Sequence, residues 1–112
     1  MHELSIAQNI IEIVKENAGR LKAARVTEVA VDIGAVSGVV PEALLFAWEM
    51  TVKDTLAEAS LLKINIIEPK AVCRKCGKEF EMNANFLCTY CNSSEYKVIL
   101  GRELKVRSIK VE

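Results

Sequence analysis

Two Cys-x-x-Cys pairs constrain this 112-residue chain more than any other feature: Cys73-Arg-Lys-Cys76-Gly and Cys88-Thr-Tyr-Cys91-Asn. Eleven residues separate the pairs, and the chain has no further cysteine. Two such turns bring four thiolates to one point, which is the donor set of a tetrahedral metal ion. The spacing predicts Zn(II) held by Cys73, Cys76, Cys88 and Cys91. Gly77 and Asn92 follow the second cysteine of each pair, and both residue types tolerate the left-handed backbone that turns N–H groups toward sulfur. Iron is the competing ion for four thiolates, and a colourless protein would decide for zinc. A site closed by four sulfurs has no open position for chemistry, so the activity has to lie elsewhere.

Composition narrows the field. Apolar residues make up 51% of the chain, enough for an ordinary core. No apolar run approaches the ~20 residues a bilayer span needs, so no membrane partner is expected. The opening Met1-His2-Glu3 lacks the basic start and apolar centre of a signal peptide. A cytoplasmic location follows, where paired thiols favour a metal over a disulfide. Net charge is zero but unevenly spread: residues 1–69 hold six Lys or Arg against ten Asp or Glu, and residues 70–112 hold nine against five. A strong nucleic-acid binder has a clearly basic total, so no nucleic-acid partner is expected.

The hydrophobic pattern predicts helix, strand, helix, strand, cysteine segment, strand. Leu4, Ala7, Ile10, Ile11, Val14 and Ala18 form a helical stripe, with a Ser5/Gln8 capping box at its start and Gly19 as its stop. Val29, Val31 and Ile33 alternate with Ala30 and Asp32 as a strand. Gly34 to Gly38 is a loop, and Pro41 opens a second helix running to about Val52. Leu44, Leu45, Ala47, Trp48 and Met50 give that helix a broad apolar face. Leu61 to Glu68 is a second strand, with Leu62, Ile64 and Ile66 inward. Arg102 to Glu112 is a third, and its change of apolar phase calls for a bulge near Ser108. The expected fold is α/β (α+β): two helices packed on a small three-stranded sheet, with an inserted four-cysteine zinc domain. Residues 1–69 plus 98–112 form the main domain and residues 70–97 the zinc-binding one. The insert has too little apolar content for its own core, and a metal can supply the missing stability.

A second metal site is conceivable at the amino end. His2 is the single histidine. A terminal amine, the amide nitrogen of residue 2 and an imidazole nitrogen can chelate one ion in fused rings, and planar nitrogen donors suit nickel(II) or copper(II). Read on spacing alone, a histidine after an initiator methionine is more often a frayed terminus. Trp48 reads as core, Glu42 and Glu49 as solvated, and Asp32 as an outward strand residue. The chain has no phosphate loop, nucleophile elbow or paired catalytic carboxylates, so no enzyme is expected. A zinc-ribbon module on nucleic acid and a small iron–thiolate redox protein are the rival readings.

With Met1-His2-Glu3 at the start, Val31-Asp-Ile-Gly34 followed by Val36-Ser-Gly38, and late paired Cys-x-x-Cys turns, the chain resembles HypA, the nickel metallochaperones of [NiFe]-hydrogenase maturation. The resemblance covers essentially the whole chain. It implies a transferable Ni(II) bound by the Met1 amine, the His2 imidazole and backbone nitrogen, and the Glu3 backbone nitrogen, with the Glu3 carboxylate assisting. It implies structural Zn(II) on Cys73, Cys76, Cys88 and Cys91. The implied partners are a HypB-type GTPase and the [NiFe]-hydrogenase large subunit precursor, and some members also serve urease. The second knuckle departs from the family pattern, reading Cys-Thr-Tyr-Cys where many members place proline after the first cysteine.

Overall fold

The computed structural model describes residues 3–82 and 85–112. In chain order the elements are α1 (Glu3–Arg20), β1 (Val26–Gly34), α2 (Pro41–Thr51), β2 (Leu61–Ile67), β3 (Lys70–Cys73), β4 (Glu79–Glu81), β5 (Tyr96–Leu100) and β6 (Leu104–Val111). They make two three-stranded sheets, β2-β1-β6 and β4-β3-β5, in a body measuring 54 × 25 × 16 Å. β1 runs parallel to β2 and antiparallel to β6. The architecture is the expected one: two helices on a small three-stranded sheet, with the cysteine segment inserted between its second and third strands.

Periodicity explains the first core. Ala7, Ile10, Ile11, Val14 and Ala18 of α1 are buried against Val29, Val31 and Ile33 of β1, Leu44 and Trp48 of α2 and Leu62 of β2. Trp48 is the largest of these side chains, and its indole N–H donates to Ser60 Oγ at 3.1 Å, so burial leaves no donor stranded. The expected bulge is present: Ala30 pairs with Ser108 and Val31 with Val106, leaving Arg107 as the extra residue.

Several expectations need correction. α1 already includes Glu3, so Ser5 lies inside the helix and cannot be its cap. The helix passes Gly19 and ends at Arg20, and Lys22 just beyond it takes φ 55°, with Ala23 N–H bonding Ala18 O and Lys22 N–H bonding Gly19 O. That pair of bonds closes the helix whichever residue occupies the left-handed position, so a lysine can hold it at some backbone cost. Leu4, Leu45 and Met50 were assigned to the core but lie 41 to 47% exposed, because none of the described residues packs over that side of the helix pair. Ile66 shares the face of buried Leu62 and half-buried Ile64 but lies near the end of an edge strand and is 40% exposed. Tyr96–Leu100 forms a strand that the sequence pattern did not reveal. It pairs with Lys70–Cys73, so residues 98–100, expected with the first sheet, lie on the second.

The chain enters the second sheet past Pro69 and leaves it past Gly101, and these crossings touch. Gly34 lets the second crossing lie against the end of β1. A Cβ there would sit 1.9 Å from Gly101 O and 2.4 Å from Arg102 N. Gly34 N–H donates to Glu103 O at 2.7 Å and Val36 N–H to Gly101 O at 2.8 Å, so the Gly34–Gly38 loop is bonded to the returning strand.

Candidate metal centre

Each Cys-x-x-Cys pair folds as one tight turn, and the two turns are built alike. In the first, Gly77 N–H bonds Cys73 O at 2.9 Å, and the Lys75 and Cys76 N–H groups both point at Cys73 Sγ at 3.4 Å. In the second, Asn92 N–H bonds Cys88 O at 2.9 Å and Tyr90 N–H points at Cys88 Sγ at 3.4 Å. Gly77 and Asn92 take φ 76° and 61°, the left-handed turn that their residue types were expected to provide. The second turn closes without a proline. Thr89 and Tyr90 stand between its cysteines, and Lys78 Nζ lies 4.8 Å from the Tyr90 ring centroid, clasping one turn to the other.

The turns bring all four sulfurs within 4.8 Å of one another. Cys73 Sγ is 3.6 Å from Cys91 Sγ, and Cys76 Sγ is 3.7 Å from Cys88 Sγ. These separations are far beyond a disulfide bond. They fit an ion bonded to four sulfurs at ~2.3 Å, whose tetrahedron has edges of about 3.8 Å. Cys73 and Cys88 are buried, whereas Cys76 and Cys91 are exposed. Beneath them, among the described residues, lies a small core of Ala71, Phe80 and the two buried cysteines, with Met82 and Tyr96 packed against it. Phe80 and Tyr96 meet edge to face at 5.7 Å.

Charge makes the group a cation site. The Cys76 N–H bond holds the Cys73 thiol down to about 6, against the opposing effect of burial, with Lys75 N–H helping. The Cys91 thiol accepts a bond from Ser93 N–H that favours its thiolate. Burial and the three neighbouring sulfurs outweigh that bond and push Cys91 up to about 11. One thiolate, Cys73, therefore forms easily while Cys91 resists, until a cation offsets the repulsion between them.

Met1 and His2, two of the expected nickel ligands, lie outside the described residues. Glu3 is the first described residue of α1, and its Oε2 accepts a bond from Val40 N–H at 3.3 Å. Val40 is the residue from which α2 starts, and its own side chain cannot cap. The carboxylate thus sits near the positive end of α2. This contact joins residues 37 apart and was missed in the sequence. Its one visible sign there is a valine where a helix ordinarily begins with a side-chain oxygen. Asp32 lies on the outer face of β1 as expected, yet it is only 5% exposed. Asn65 donates to it at 3.0 Å and Arg107 Nε stands 3.6 Å away. Glu42 and Glu49 are solvated, as read.

The family model for HypA, described as hydrogenase/urease nickel incorporation, metallochaperone, matches residues 1–111. The chain belongs to the HypA family. It is 40% identical to the hydrogenase maturation factor HypA of Geobacter metallireducens, covering the whole of both chains. It is 41% identical to that of Crocosphaera subtropica, covering all of this chain and 96% of the relative. The solution structure of the Ni metallochaperone HypA from Helicobacter pylori superposes with a TM-score of 0.74 at 25% identity, over 99% of this chain and 97% of that one. A second solution structure of a HypA protein gives 0.77 at 25% identity, over 100% and 97%. HypA is a family of metallochaperones for nickel incorporation in hydrogenase maturation, not of enzymes. Among the described residues no helix is long and apolar enough to cross a membrane.

Proposed function

We propose that this HypA captures Ni(II) with the nitrogens of its amino end and passes the ion on for [NiFe]-hydrogenase maturation, while a Zn(II) on Cys73, Cys76, Cys88 and Cys91 holds the second sheet in shape. The nickel ligands are the Met1 amine, the His2 amide and imidazole, and the Glu3 amide. The observation that carries this reading is the anchoring of Glu3 on Val40. It supports a short nitrogen-rich end presented from a fixed point, beside the single histidine of the chain. The nickel-binding part comprises residues 1–69 with the returning strand from Gly101, and the zinc-binding part is the second sheet. The ion passes by ligand exchange to the hydrogenase large subunit precursor, with a HypB-type GTPase as the working partner in the cytoplasm.

Zinc is favoured at the cysteines because four thiolates at these separations match its bond lengths and leave no position open. An open nitrogen site at a chain end suits transfer better than storage. The deciding experiment is a nickel titration by calorimetry of the parent, of His2→Ala, and of a form carrying one extra residue before Met1. Loss of tight binding in both altered forms is expected. Binding should also weaken as pH falls through about 6, where imidazole takes a proton. Unchanged affinity in either altered form defeats the proposal.

A further inference from the structure

β6 is an edge strand. Among the described residues β1 alone pairs with it, so one side of an eight-residue strand presents its backbone N–H and C=O groups outward. A groove of about 330 Å³ runs beside that edge, between β6 and the C-terminal half of α1. Its apolar walls are Ile13, Leu21, Val106 and Ile109, and Arg20 and Arg107 stand at its sides. Leu21 is 62% exposed. An open backbone ladder next to a side-chain groove is what strand addition needs. The ladder supplies hydrogen bonds, and the groove selects among the alternate side chains of the incoming segment.

Charge decides the occupant. β6 reads Leu-Lys-Val-Arg-Ser-Ile-Lys-Val, with three cations and no carboxylate. A second copy laid edge to edge would set cation against cation, which is destabilising across a strand pair. Arg107 and Lys110 pair with Asp32 and Glu28 but stay 58% and 70% exposed, and Lys105 is exposed as well. Glu16 offsets Arg20 at 2.7 Å, and among the described residues no carboxylate lines the groove itself. β2, the opposite edge of the sheet, carries a single cation.

We propose that the outer edge of β6 receives an extended, acidic segment of a partner protein as a fourth strand, with an apolar side chain of that segment seated between α1 and β6. The site lies at the far end of α1. Its α1-side residues Ile13 to Leu21 lie ten to eighteen residues past Glu3, which at ~1.5 Å each is about 15–27 Å along the helix. A partner held there leaves the amino end accessible.

The test uses the full zinc-loaded chain and a fluorescein-labelled peptide of about eight residues, the length of β6, alternating valine and glutamate. Three controls accompany it: the same peptide with lysine for glutamate, the same peptide with alternate backbone nitrogens methylated, and the Leu21→Glu variant. The glutamate peptide should bind saturably and slow amide exchange along β6, and its binding should weaken as salt rises. Each control should lower affinity about tenfold or more, with the circular dichroism of Leu21→Glu unchanged. Cationic edge residues also serve merely to repel other strands. Under that reading the glutamate peptide does not bind, and the proposal falls. It also falls if the methylated peptide binds equally well, if Leu21→Glu binds like the parent, or if the unliganded chain dimerises through β6.

Discussion

Gly34→Ala tests the junction between the sheets. The added methyl group would lie 1.9 Å from Gly101 O and 2.0 Å from Gly101 C, and both are backbone atoms that no rotamer change can move. Reaching ordinary contact at about 3.4 Å needs a retreat of about 1.5 Å. That retreat opens the Gly34–Glu103 and Val36–Gly101 hydrogen bonds, now 2.7 and 2.8 Å, beyond useful length. Two lost bonds cost about 2 kcal/mol, and forcing excess volume into a packed site adds roughly 1–3 kcal/mol. The expected loss is about 3–5 kcal/mol, a large part of the 5–15 kcal/mol typical of a domain. At roughly 4 °C per kcal/mol for a chain of this size, the melting temperature falls by about 12–20 °C. Gly19→Ala is the matched control. Nothing lies within 4 Å of its added methyl, and it sits on the exposed side of α1. Helix propensity alone predicts a gain there of about 0.5–1 kcal/mol. Urea and thermal melts followed by circular dichroism read both variants. A Gly34→Ala protein within about 1 kcal/mol of the parent would refute the tight-junction reasoning.

Two further outcomes are expected. Stripping the metal with a strong chelator should abolish amide protection at Val72 and Phe80 while Val29 and Val31 stay protected, because the small core under the cysteines needs the metal and the larger core does not. Simultaneous loss of protection in both sheets would contradict this. The Glu28 carboxyl is held below its ordinary value, chiefly by the Lys63 bond with Lys110 assisting and burial opposing. A lowered native pKa stabilises the fold above about pH 4.5, and that stability disappears as pH drops through the native value. Glu28→Gln should therefore flatten the difference in urea midpoint between about pH 5 and 3, an effect weakened by salt because Lys63 and Lys110 are more than half exposed. Identical pH slopes for the two proteins would exclude the ion-pair cluster as the cause.

What could be read from the sequence follows from how local each signal is. The α1 stripe, the β1 alternation, the phase change of β6 and the left-handed residues after each cysteine pair all depend on near neighbours, and all are present. Leu45 and Met50 were misplaced because an apolar face is legible but the absence of anything to cover it is not. β3, β4 and β5 span only four, three and five residues, and although burial alternates along β3 and β4, so few positions carry no readable period-2 signal in the sequence. Their order is imposed by the cysteine turns and the pairing of β3 with both neighbours. The Glu3–Val40 bond depends on two distant segments meeting, which no local pattern encodes.

On the proposed reading, the division of donors into a sulfur group and a nitrogen group has a chemical reason. Thiolates bind Zn(II) and Ni(II) alike, so a cargo ion that reached an open cysteine pair would be trapped there. In this chain all four thiols are gathered into one group, two of them buried, with backbone N–H groups already directed at Cys73 and Cys88. Once that group holds its own ion, no sulfur is left to compete for nickel, and the nitrogens at the amino end become the available donors. Zinc occupancy of the cysteines is thus a condition for orderly nickel handling as well as a prop for the second sheet. The same protein stripped of zinc should bind nickel at sulfur, with the charge-transfer absorption of a thiolate complex, whereas the zinc-loaded protein should not. Nickel spectra that are the same with and without zinc would show that the cysteines play no part in keeping the two ions apart.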